Sequence, residues 1–108
     1  MKSIPFPSQY KRSVQDGIKK WTLRMGNELG KYEKGEVYNA TSYPGNNWGI
    51  NIRVIDVIST KVGKLSEHKV PTKSIDSLLN REDIKESTIV DLVKFDYMFH
   101  RDYNNLND

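Results

Sequence analysis

Cysteine is absent, which excludes disulfide bridges, a thiolate nucleophile and any cysteine-based zinc site. Histidine is scarce: His68 and His100 are too few and too far apart to point to a metal site. No apolar run approaches the ~18 residues a membrane helix needs. The opening Met-Lys-Ser-Ile-Pro-Phe-Pro lacks the apolar centre of a signal peptide. Internal repeats and low-complexity tracts are missing as well. These absences lead us to expect a cytoplasmic protein off the membrane, without metal or cofactor, working as a monomer. At 108 residues the chain is expected to form one domain with a single modest core. That domain should span residues 1–99, with residues 100–108 a polar tail that has nothing periodic to bury.

What the chain does have is unevenly placed charge. Lys and Arg number 17 against 14 Asp and Glu, a net charge of +3. Residues 1–64 hold 11 basic and 5 acidic side chains, and residues 65–108 hold 6 and 9. A basic front half suits a polyanion such as RNA or a nucleotide. A solvated surface with a chance imbalance would look the same.

Pro5 and Pro7 make the first residues extended. Ser8 is placed to cap a short helix through Asp16, with Tyr10 and Val14 four apart on one face. Gly17 then ends that helix in the left-handed conformation that glycine adopts cheaply. A strand follows from about Lys20 to Met25, with Trp21, Leu23 and Met25 on one face and Thr22 and Arg24 on the other. Gly26 to Gly35 is a polar loop, and Glu36 to Tyr43 a second strand. Pro44-Gly45 fits the centre of a type II turn. Trp48 beside it either folds onto the core or offers a flat surface to a base.

Ile50 to Val57 is the clearest strand. Its apolar face changes midway, from Ile50, Ile52 and Val54 to Ile55 and Val57. That change implies a bulge, or cover first by a barrel interior and then by a helix. After a polar segment from Lys64 to Val70, Ser74 is placed to cap a helix whose Ile75, Leu78 and Leu79 share a face. Ile89 to Phe99 closes the domain, with Val93, Phe95, Tyr97 and Phe99 on one face and Lys94 and Asp96 on the other.

The stretch with chemical content is Gly17 to Arg24. A lysine in water is protonated near neutrality and is a poor base. Burial, or the positive charges of Lys20 and Arg24, would lower the pKa of Lys19 toward a useful range. Thr22 would then serve as a nucleophile and Arg24 as a binder of phosphate or of a developing oxyanion. The same residues serve equally as a surface lysine, a strand-favouring threonine and an arginine bracing an acid. Strict alternation also sends Lys19 to the Trp21 face, so convergence with Thr22 requires that Lys19 lie in the turn.

Gly17-x-Lys19-x-x-Thr22-x-Arg24 resembles the G-x-K-x-x-T-x-R signature of the ASCH family, small β-barrel domains related to the PUA RNA-binding fold. Gly35-Glu36-Val37-Tyr38 and Ile89 to Phe95 are similar to the family's strand opening and final strand, so the likeness runs over roughly residues 6–97. The resemblance implies an α+β, mainly β domain: a PUA-like barrel of five or six mostly antiparallel strands with two or three short flanking helices. The family includes a small amidohydrolase acting on N(4)-acetylcytidine, alongside RNA-binding modules. By motif position, Lys19 and Thr22 take the implied catalytic places. The implied glutamate falls on Glu67, with Asp76 the fallback.

Three functions are therefore open. The first is amide hydrolysis of an acylated pyrimidine nucleoside by Thr22, Lys19 and Glu67. The second is non-catalytic RNA binding, with Lys20 and Arg24 on the backbone and Trp21, Tyr43 or Trp48 stacking on a base. The third is ribonuclease action on single-stranded RNA through the same cations.

Overall fold

The computed structural model of the chain describes residues 2–43 and 45–98. Pro44, Phe99, His100 and the expected tail lie outside the described residues. Strand β1 (Ser3–Phe6) leads through a 3-10 turn (Ser8–Tyr10) into helix α1 (Lys11–Gln15). Strand β2 (Trp21–Arg24) is followed by a second 3-10 turn (Gly26–Glu28), strand β3 (Val37–Ser42) and strand β4 (Asn47–Lys61). A third 3-10 segment (Val62–His68), helix α2 (Thr72–Leu79) and strand β5 (Ile89–Met98) complete the order. The fold is α+β and mainly β.

The strands form one mixed sheet in the order β1-β3-β4-β5-β2. Only the β1–β3 pairing is parallel. The sheet is not closed: among the described residues no backbone pairing joins β1 to β2, so the expected barrel is not completed. The two edges meet through side chains instead, the Arg24 guanidinium lying 5.1 Å from the centre of the Phe6 ring. Both edge strands are only four residues long, and Pro5 removes a donor from one of them.

β4 is the long element, 15 residues against the eight expected from Ile50 to Val57. Its register against β5 shifts between Val54 and Asp56. That shift is the bulge implied by the change of apolar face. It lets β4 serve two cores, since an extra residue re-aims every side chain beyond it. One core lies on the concave face around Phe6, Tyr38, Trp48, Ile52 and Phe95. The other lies between the sheet and α2, around Val62, Leu65, Val90 and Leu92, with Ile75, Leu78 and Leu79 packed onto it. β5 supplies both by alternation, Val93, Phe95 and Tyr97 to the first and Val90 and Leu92 to the second.

Three local expectations are corrected. Ser8 is not a cap: Pro7 holds the capping position, without a side-chain bond, and Ser8 lies inside the 3-10 turn. Ser74 likewise lies within α2, which starts after Pro71, because a proline preset near the right φ supplies the helix entry. The turn after β3 is framed by the Gly45 N–H donating to the Ser42 carbonyl at 2.8 Å, which makes Gly45 the fourth residue of the turn and not its third.

Gly17 performs the role read for it. At φ 75° it ends α1, its N–H donating to Val14 at 3.2 Å and that of Ile18 to Ser13 at 2.9 Å. This double closure satisfies the last carbonyls of the helix and turns the chain directly into β2.

Candidate functional site

β2 sorts the motif residues onto opposite faces of the sheet. Thr22 and Arg24 point into the concave core and are 6% and 4% exposed. Trp21, Leu23 and Met25 pack on the second core. The motif is therefore divided between a buried network and an open cleft.

In the network, Arg24 Nε donates to Thr22 Oγ1 at 3.2 Å and a terminal guanidinium nitrogen donates to Glu28 at 3.3 Å. The guanidinium lies between the rings of Phe6 and Tyr32, 5.1 and 5.3 Å from their centres. Glu28 also accepts from the Tyr32 hydroxyl at 2.8 Å and pairs with Lys31 at 3.4 Å. Asp91, buried opposite Arg24 in the β2–β5 register, accepts the Gly30 N–H at 2.8 Å. Burial raises the Tyr32 hydroxyl above its ordinary pKa, with Arg24 opposing and Glu28 adding to the rise. The cluster is internally satisfied, which is what makes a charged group tolerable in a core.

Lys19 stands just before β2, in the turn. Its ammonium lies over two rings, 4.5 Å from the centre of Tyr10 and 4.6 Å from that of Trp21. Its pKa is lowered from 10.5, first by burial and then by the charge of Arg24. Among the described residues no hydrogen bond joins this ammonium to the Thr22 hydroxyl, whose bond is to Arg24. The Lys19 carbonyl accepts from the Tyr97 hydroxyl, and burial, with Asp96 adding, pushes that phenol up to about 12.

The open side is a cleft of about 370 Å³. Lys20 and Trp21 line one wall with Leu92, Lys94, Phe95 and Asp96 of β5. Ile55 at the bulge, His68 at the end of the third 3-10 segment, and Lys69 and Val70 just after it complete the lining. Lys94 stands directly across from Trp21 in the strand register. Among the described residues none of the three lysines has an ion-pair partner.

The other expected site residues lie elsewhere. Glu67 is solvent-facing, 65% exposed at its side chain, and pairs with Lys64 at 3.8 Å, so it does not reach Thr22 or Arg24. The acid that does reach Arg24 is Glu28. Asp76 is exposed on α2. Trp48 is buried and stacked on Phe6, ring centres 5.9 Å apart, so its face is not open to a base. Tyr43 is 62% exposed and outside the cleft.

Glu28 was visible in outline, since Arg24, Glu28 and Tyr32 follow one another at steps of four, but Glu28 and Tyr32 lay in what read as a loop beyond the strand. His68, Lys69 and Lys94 became neighbours of Trp21 only through the β4–β5 and β2–β5 pairings. Among the described residues no three His, Asp or Glu side chains converge on a metal-sized site, and no helix is long and apolar enough to cross a membrane. Comparison with family models, with curated proteins and with solved structures finds no match.

Proposed function

We propose that this chain is an ASCH-like, PUA-related module that binds RNA or a modified nucleoside in the cleft beside Lys20 and Trp21. The observation that carries the reading is an aromatic side chain among three lysines that have no ion-pair partner among the described residues. A base presents a π-face to an indole, and unpaired ammonium groups between low-dielectric walls attract phosphate. On this reading the chain works as a cytoplasmic monomer, and its sheet is a partly opened form of the family's barrel.

Titration of a labelled single-stranded RNA at several salt concentrations tests it. Binding should weaken as salt rises, by about 0.7 in the log–log slope for each phosphate engaged. Binding that is absent at low salt would refute the reading.

Amide hydrolysis is the second reading, and the lowered pKa of Lys19 favours it. Lowering the pKa of a lysine makes its neutral, proton-accepting form easier to reach. The step would need Thr22 released from Arg24, and Glu28 would replace Glu67 as the nearby acid. Cytidine release from N(4)-acetylcytidine, measured with the protein and with Lys19→Ala, decides it. Release by neither removes the hydrolase, and release by both removes Lys19 as its base. Ribonuclease action has no separate observation in its favour.

A further inference from the structure

We infer that the cleft is built for a phosphate monoester attached to a single base: a free nucleotide, or the phosphorylated end of an RNA strand. The inference rests on the binding reading above and narrows its ligand.

Size is the first argument. A cleft of about 370 Å³ lies at the lower end of the ~300–1,000 Å³ typical of small-ligand sites. It accommodates one nucleotide and not a run of them, in contrast to the long grooves that follow a strand backbone.

Charge is the second. Lys20, Lys69 and Lys94 line the cleft against a single carboxylate, Asp96. Three against one leaves an excess of two positive charges. A phosphate monoester carries about −1.5 to −2 near neutrality, whereas a backbone diester carries one negative charge. The imidazole of His68 adds a ring N–H donor to the same lining.

Backbone conformation is the third. Lys69 has φ 65° and ψ 23°, and every other described residue with positive φ is a glycine. Left-handed geometry is strained for a lysine, and glycine or asparagine ordinarily fills this place after a helical turn. Strain of this kind collects where a side chain has a task. Here it holds a lysine in the lining of the cleft, next to His68 in the chain and in the same lining as Lys20 and Trp21.

The test is calorimetric titration of the intact chain. The probes are cytidine, its 5′- and 3′-monophosphates, and a short single-stranded RNA with either a hydroxyl or a phosphate at each end. One or both monophosphates should bind at least about tenfold more tightly than cytidine, as an added charge-assisted contact predicts. Lys69→Gln and His68→Gln should each shrink that preference while leaving cytidine binding in place. A preference confined to the end-phosphorylated RNA assigns the site to a strand end, and a preference shared by the free nucleotides assigns it to nucleotides. If cytidine matches its monophosphates and hydroxyl-ended RNA matches phosphorylated RNA, the monoester inference is overturned while the binding reading stands. If no probe binds, the binding reading itself fails and the inference with it. Circular dichroism of both variants separates lost recognition from lost folding. Lys69→Gly, which relaxes the backbone but removes the charge, should lose the preference as fully as Lys69→Gln.

Discussion

β2 and the turn before it hold four nearby residues in opposite physical situations. On the concave face, Thr22 and Arg24 are buried, and the guanidinium bonds to Thr22 and to Glu28. At the start of the strand, Lys20 and Trp21 border an open cleft whose lysines have no ion-pair partner among the described residues. A charge that is buried and paired contributes to a unique fold, and one left unpaired at the rim of a cleft contributes to binding. On the proposed reading, the same motif divides into a structural half and a recognition half.

The largest expected effect breaks the structural half. Arg24→Ala leaves Glu28 and Thr22 without their donor and opens a void between Phe6 and Tyr32. It should cost about 3–5 kcal/mol by chemical denaturation. Lys20→Ala, two positions before the strand's first buried residue, should stay within about 0.5 kcal/mol. A similar cost for both would erase the distinction. Trp48→Ala sharpens it, because a core tryptophan should also cost about 3–5 kcal/mol and leave the salt dependence of RNA binding unchanged.

Next in size is the recognition half. Lys20→Ala and Lys94→Ala should each reduce the salt slope of RNA binding by about 0.7, the signature of one lost phosphate contact. An unchanged slope in both would move the ligand out of the cleft.

Lys19, between the halves, gives a smaller and pH-dependent signal. Its folded pKa lies below the ordinary 10.5, so the unfolded chain binds more protons in the window between the two values. Stability should therefore rise with pH through that window. Lys19→Met should flatten the rise. The two raised tyrosines act oppositely above their ordinary 10.0, since the folded chain there keeps protons the unfolded chain gives up. The comparison of protein and variant is therefore made between pH 7 and the onset of tyrosine ionisation.

The smallest effect belongs to Glu67. As half of an exposed pair with Lys64, Glu67→Gln should change stability by less than about 0.5 kcal/mol. It should also leave cytidine release unaltered. A loss of release would return Glu67 to the site.

Much of this architecture was legible in local chemistry. Gly17 ends α1 because only glycine takes its conformation cheaply. The change of apolar face in β4 announced the bulge. The alternation of β5 is its pairing face written out residue by residue, up to Met98. Strand and turn signals are carried within a few residues, so one dimension contains them.

What the chain alone could not express was which faces would be covered. The Thr22–Arg24 side looks polar and solvent-facing, yet the curl of the sheet lays Phe6 and Tyr32 over it. Glu67 occupied the expected place in the order of the chain, while Glu28, on a different turn, occupied it in space. His68 and Lys69 reach Trp21 only because a long, bulged β4 carries the following turn across the sheet. Periodicity determined which side chains share a face. The folding of that face against another, a contact between residues far apart in the chain, decided which became core and which became cleft.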